Sequence, residues 1–119
     1  MQEFRNLKVW QRSFNLSLNV YEVTRSWPKV EQFGLTSQLR RSIISVPANI
    51  AEGAAKDSKK DFHRFLSISL GSLNESMTFI MLAKELSYID QSDFERLFSE
   101  IVEIKKMISA LMTKIKKNL

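Results

Sequence analysis

Large apolar residues recur at helical spacing along almost the whole chain, in four segments parted by short polar, Pro or Gly breaks. From about Leu7 to Ser26 the first segment carries two stripes. Leu7, Trp10, Phe14, Leu18 and Tyr21 form one; Val9, Leu16, Val20, Val23 and Trp27 form the other. At about 100° per residue these stripes lie roughly 135° apart. Asn6 is the expected N-cap, and Pro28 ends the helix by biasing Trp27 away from the helical region. One stripe is enough to pack a bundle core, so the second predicts burial on another side.

A linker from Pro28 to Gly34 leads to a second helix, expected from Leu35 or Thr36 to Gly53 at the C′ position. Leu35, Leu39, Ile43, Val46 and Ile50 form its apolar stripe. Beside them runs a polar row of Gln38, Ser42, Ser45 and Asn49, ending in Glu52. Ile44, Ala48 and Ala51 lie on the far side, flanked by Arg40 and Arg41. Pro47 removes a backbone donor and crowds the Ile43 carbonyl, which predicts a kink or a break into two helices; the continuing apolar period favours the kink. Ser58 and Asp61 have capping-box spacing and start a third helix that runs to about Ser87. It again has two stripes: Phe62, Leu66, Ser69, Leu73, Met77 and Ile80, and Phe65, Ile68, Phe79, Leu82 and Leu86. After Asp90 or Ser92, either a competent cap, Phe94, Leu97, Ile101, Ile104, Ile108, Leu111 and Ile115 trace a heptad seam. Short connections between the later helices favour antiparallel neighbours. The predicted fold is all-α, an up-down-up-down antiparallel four-helix bundle kinked at Pro47, with residues 1–119 as one domain. The second stripes exceed what one small bundle buries and predict a homo-oligomer rather than a monomer.

Composition narrows the chemistry. With 119 residues, 44% hydrophobic and 26% charged, the chain has the make-up of one folded domain. Three Gly and two Pro are too few for a loop-rich all-β fold, and with no Cys there is no disulfide or thiolate site. A single His excludes any site needing two imidazoles from one chain. The net charge of +5 is accounted for by Lys105, Lys106, Lys114, Lys116 and Lys117; the remaining acids and bases balance. Such a basic end attracts nucleic acid or anionic surfaces, although lysine also suits solvated faces and helix C-termini. No signal peptide and no stretch of 18 apolar residues is visible, so the expectation is a cytoplasmic protein without a membrane segment.

No catalytic constellation emerges. A di-iron bundle needs Glu-x-x-His pairs, but the residue three before His63 is Lys60. Asp57 and Asp61 flank lysines at a helix start, where capping explains them. Phosphate loops, nucleophile elbows and zincin motifs are absent, so no catalytic residue, metal or cofactor is expected. Three basic groups are candidate nucleic-acid contacts. Arg40 and Arg41 beside Ser37, Gln38, Ser45 and Asn49 suit phosphate, or equally an acid such as Glu52 of a neighbouring subunit. Lys56, Lys59, Lys60 and Arg64 surround a helix N-terminus and form the best phosphate-facing cluster. Lys114, Lys116 and Lys117 are the third group. Trp10, Trp27 and the eight Phe fall on apolar stripes and read as core rather than as base-stacking platforms.

Several blocks carry a resemblance. Phe4-Arg5-Asn6-Leu7-Lys8-Val9-Trp10-Gln11, Phe33-Gly34-Leu35-Thr36-Ser37-Gln38-Leu39-Arg40-Arg41 and Ser45-Val46-Pro47-Ala48-Asn49-Ile50-Ala51-Glu52-Gly53 are the fullest. Ser58 to Phe62, Arg64-Phe65-Leu66 and Gly71 to Glu75 complete the set. Together they resemble the bacterial four-helix-bundle family encoded by intervening sequences in 23S rRNA genes, and more distantly the accessory variability proteins of diversity-generating retroelements. The resemblance implies a homopentamer around a central channel, no known enzymatic activity, and a connection to RNA or a nucleic-acid-processing protein. It marks Gly34, Pro47, Asn49, Glu52 and Gly53 as motif positions. After Gly53 many members carry an aromatic residue and an arginine, where this chain has Ala54, Ala55 and Lys56. The expected function is a non-enzymatic homo-oligomer that binds RNA or an RNA-handling partner through basic surfaces; the alternative is an interaction scaffold without nucleic-acid contact.

Overall fold

The computed structural model describes residues 3–119. Helices α1 (Lys8–Thr24), α2 (Leu35–Ala54), α3 (Lys59–Glu85) and α4 (Gln91–Lys117) make up the fold, with 3₁₀ turns at Phe4–Asn6 and Lys29–Glu31. No strand occurs among the described residues. Each helix packs on its neighbours in sequence, α1 also meets α4, and the diagonal pairs stay apart. Cross-helix pairs run in opposite directions along the chain: Ser42 with Ser76 and Ser45 with Ser72 between α2 and α3, and Ser17 with Ile43 and Thr24 with Arg40 between α1 and α2. The bundle is therefore antiparallel, with principal extents of 45 × 22 × 20 Å.

Burial decides between the paired stripes. On α1, Val9, Leu16, Val20 and the following Trp27 enter the core, whereas Phe14, Leu18 and Tyr21 remain exposed. On α3, Phe62, Leu66, Leu73 and Ile80 point inward, while Ile68, Leu82 and Leu86 point out. The α4 seam is buried at Leu97, Ile101, Ile104, Ile108 and Ile115. Each fully buried Leu or Ile contributes about 1.5–3 kcal/mol relative to exposure. Among the described residues α3 alone is long and apolar enough to cross a membrane by length and composition. Of its most apolar 18-residue window, 28% is buried within the bundle.

Close approach of α2 and α3 rests on small residues. Ser42 and Ser76 share a hydroxyl hydrogen bond of 2.7 Å, Ser45 pairs with Ser72, and Ser69 donates to the Val46 carbonyl at 2.9 Å. Gly53 does not end α2 as expected; it lies inside the helix, which continues to Ala54. A Cβ there would stand 2.7 Å from Phe65 Cβ and 2.9 Å from a Phe62 ring carbon, so helix packing requires the glycine. The helix runs unbroken through Pro47, against the two-helix alternative. Proline cannot donate to the Ile43 carbonyl; Ser17 Oγ of α1 lies 3.4 Å from that oxygen, and 3.0 Å from the Ser13 carbonyl.

The helix ends follow local chemistry with some corrections. Ser58 accepts the Asp61 N–H at 3.0 Å and Asp90 accepts the Asp93 N–H at 2.7 Å, so Asp90 rather than Ser92 caps α4. Asn6 falls in a 3₁₀ turn and does not cap α1, which starts after Leu7 without a side-chain cap. Helix α1 ends at Thr24, short of the expected Ser26. After α3 the chain reverses through Ser87 at φ 61°, with Tyr88 N–H bonded to the Ala83 carbonyl at 2.9 Å and Ser87 N–H to the Lys84 carbonyl at 3.1 Å. This is a Schellman ending, with serine where glycine is least strained. Ser87→Gly is expected to stabilise the fold by about 1 kcal/mol, and Gly53→Ala to destabilise it by about 1–3 kcal/mol through overpacking. Thermal unfolding followed by circular dichroism checks both, with midpoint shifts of opposite sign.

Candidate nucleic-acid interface

Antiparallel packing sends the α2–α3 junction and the end of α4 to the same end of the bundle. Two of the three predicted basic groups thereby become one. Ala54, Lys56, Ser58, Lys59, Lys114 and Asn118 are among the residues around a hollow of about 260 Å³, floored by Phe62, Leu111 and Ile115. Lys60, Arg64, Lys116 and Lys117 stand exposed on the same end. Seven cations of these two groups stand at this end with Glu52, Asp57 and Asp61, and the antiparallel order also brings the start of α1, with Lys8, to it. The opposing charges are engaged only loosely: Lys56 lies 3.7 Å from Glu52, and Arg64 lies 3.8 Å from Asp61. Lys56 and Arg64 also stand over the Phe65 ring, 5.3 and 4.5 Å from its centroid. That ring holds two cations at the surface. His63, half-buried beside Leu70, Met112 and Lys116, lies on the neighbouring α3–α4 flank.

Arg40 and Arg41 do not join this surface. Arg40 lies near the opposite end, where its Nε donates to Thr24 Oγ1 at 2.8 Å, its Nη2 donates to the Tyr21 carbonyl at 3.4 Å, and its guanidinium lies 4.4 Å from the Tyr21 ring centre. It satisfies the C-terminal end of α1, as a cation there should. Arg41 donates to Gln38 Oε1 on its own helix at 3.1 Å and reaches across the α2–α3 groove to Glu75 Oε2 at 3.4 Å. Glu75 of its own chain is thus one acid partner of Arg41, and Glu52 lies near Lys56. Asn49 donates to the Ser45 carbonyl at 2.8 Å, a bond internal to α2.

Two polar links were not foreseeable from spacing, because their partners are far apart in sequence. Arg12 forks onto Glu100, with Nη2–Oε1 at 2.6 Å and Nε–Oε2 at 3.0 Å, tying α1 to α4; the bonds to Glu100 raise the Arg12 pKa. Glu31 uses both carboxylate oxygens: Oε1 accepts the Leu35 N–H at 3.0 Å and Oε2 accepts the Tyr88 hydroxyl at 2.9 Å. A Cβ at Gly34 would come within 2.7 Å of that Oε1, so a side chain there would displace the Glu31 carboxylate from the Leu35 N–H. Among the described residues no cluster of three His, Cys, Asp or Glu side chains has the arrangement of a metal site.

The Glu31 bond raises the Tyr88 pKa above its ordinary value of 10.0, with desolvation and the carboxylate charge acting the same way. The bond contributes fully below the unfolded phenol's pKa and is lost as pH rises through the higher folded value. In a Tyr21→Phe background, leaving Tyr88 as the remaining phenol, absorbance at alkaline pH should titrate above pH 10. Glu31→Gln should move that midpoint back towards 10.

Comparison with known proteins accords with this architecture. A model of the family described as 23S rRNA-intervening sequence protein matches residues 5–110. A crystal structure of a protein with unknown function from the S23 ribosomal protein family of Bacteroides thetaiotaomicron VPI-5482 is similar, with a TM-score of 0.79 and 25% identity, covering 87% of this chain and 97% of that one. No curated protein is significantly similar to the chain.

Proposed function

The chain belongs to the family of 23S rRNA-intervening sequence proteins, and from that premise we propose that it is a non-enzymatic cytoplasmic homo-oligomer, a pentamer by family resemblance, whose basic end binds RNA. The observation that carries this reading is the convergence of Lys56, Lys59 and Lys114 on one hollow, with Lys60, Arg64, Lys116 and Lys117 beside it. In a ring of copies pointing the same way, this end repeats on one rim, and a modest excess per chain becomes a strong local field. Lysines hold phosphate without reading bases, so binding is sequence-tolerant. Arg40 and Arg41, already engaged within the chain, play no part in it.

Exposed Phe14, Leu18, Tyr21 and Ile44 favour assembly. Antiparallel pairing places Arg40 beside Tyr21, so Ile44, one turn on, falls beside Leu18, which makes one apolar strip across α1 and α2. The same strip supports a second reading, a protein scaffold that needs no RNA. Replacing Lys114, Lys116 and Lys117 with Gln separates the two. On single-stranded RNA each phosphate contact contributes about 0.7 to the slope of log affinity against log salt, so the triple variant should lose affinity and flatten the slope by about 2. Equal binding by parent and variant across the titration, or no binding by either at low salt, contradicts the RNA reading; the latter result favours the scaffold.

A further inference from the structure

Phe33 and Val30, in the α1–α2 linker, are 87% and 85% exposed, the most exposed large apolar side chains on the molecule among the described residues. They are held on a fixed support. The Glu31, Gln32 and Gly34 N–H groups donate to the Pro28, Lys29 and Glu31 carbonyls at 2.9, 3.0 and 2.9 Å. The Glu31 side chain then ties this linker to the start of α2 and to Tyr88. An apolar knob fixed this way has lost the freedom by which a mobile loop would hide it, so little further ordering is needed for it to dock.

The other half of a contact lies on the opposite wall. Thr78, Met81, Leu82, Lys84 and Glu85 of α3, with Phe94 of α4, line an open and mainly apolar hollow of about 350 Å³. Met81 and Leu82 are each about half exposed there. Phe33 is not among the hollow's walls. In a bundle whose helices neighbour one another in the order α1, α2, α3, α4 and back to α1, the α1–α2 and α3–α4 walls face opposite ways. The two features nevertheless share one level. From the Ser42–Ser76 pair, seven residues back along α2 reach Leu35 and seven forward along α3 reach Ala83, beside the hollow. Rotation about an axis parallel to the bundle therefore carries the knob of one copy to the hollow of the next without change of level. That is a head-to-tail contact of the kind that closes rings. Lys29 and Glu31 flank the knob, and Lys84 and Glu85 line the hollow, so each edge offers both signs of charge and Lys29 can meet Glu85.

We propose that Phe33 of one copy of this chain seats in the Met81–Leu82–Phe94 hollow of the next. This rests on the assembly reading above and adds which surfaces meet. Because the chain has no cysteine, introduced thiols are unique. Gln32→Cys and Glu85→Cys chains, mixed and treated with a short bismaleimide, should give a covalent dimer that neither variant forms alone. Phe33→Asp, which touches no core contact, should lower the light-scattering mass of the parent assembly while leaving its helical circular dichroism intact. A parent monomer of 13.8 kDa overturns both the assembly reading and this one. A multimeric parent whose variants link like with like, or give no mixed dimer, or whose Phe33→Asp form keeps the parent mass, overturns this contact alone and leaves assembly to another face or leaves the hollow to a different partner.

Discussion

The close contact between α2 and α3 governs the rest of the molecule. Ser42, Ser45, Ser69, Ser72 and Ser76 keep bulky side chains out of this interface, and Gly53 lets its backbone meet Phe62 and Phe65. The serines satisfy one another or a backbone carbonyl, so proximity is gained without stranding buried hydroxyls. Two helices fixed this tightly also fix their register. Register in turn decides which side chains of α3 face the α4 seam and which are left outside.

The same register produces the surface chemistry. It brings the α2–α3 junction beside the end of α4, so that lysines more than fifty residues apart in sequence meet around one hollow. It also sets Arg41 opposite Glu75, which occupies a cation that adjacency alone would offer to phosphate. The contrast between Lys59 or Lys114, exposed and free to move, and Arg40, held by Thr24 and Tyr21, is a matter of neighbours rather than of charge. An arginine already bonded must give up its partners before it meets an anion, a cost the free lysines do not carry.

Much of the fold was legible in sequence because it depends on short-range periodicity. The α4 heptads, the Ser58 cap and the α2 stripe all appear where the pattern places them, and the α4 cap is one of the two residues it offered. The paired stripes of α1 and α3 were visible, but not which of each pair faces inward; Val9 and Leu16 prevail over Phe14 and Leu18 only through contacts with other helices. Gly53 looked like a helix stop because its partner phenylalanines come later in the chain. The basic end was legible as two clusters, but their union was not, since only the antiparallel return of α4 creates it. Arg12–Glu100 and Glu31–Tyr88 are likewise tertiary facts without a local signature.

The central claim is that one end of the bundle holds RNA while the arginine pair does not. Ultraviolet cross-linking to a short single-stranded RNA at low salt, followed by peptide mapping, tests it most directly. The account predicts modified peptides from the segments 56–64 and 114–117, with none from 35–45. Cross-links concentrated at Arg40 and Arg41, or on the α1 face around Phe14, would contradict it.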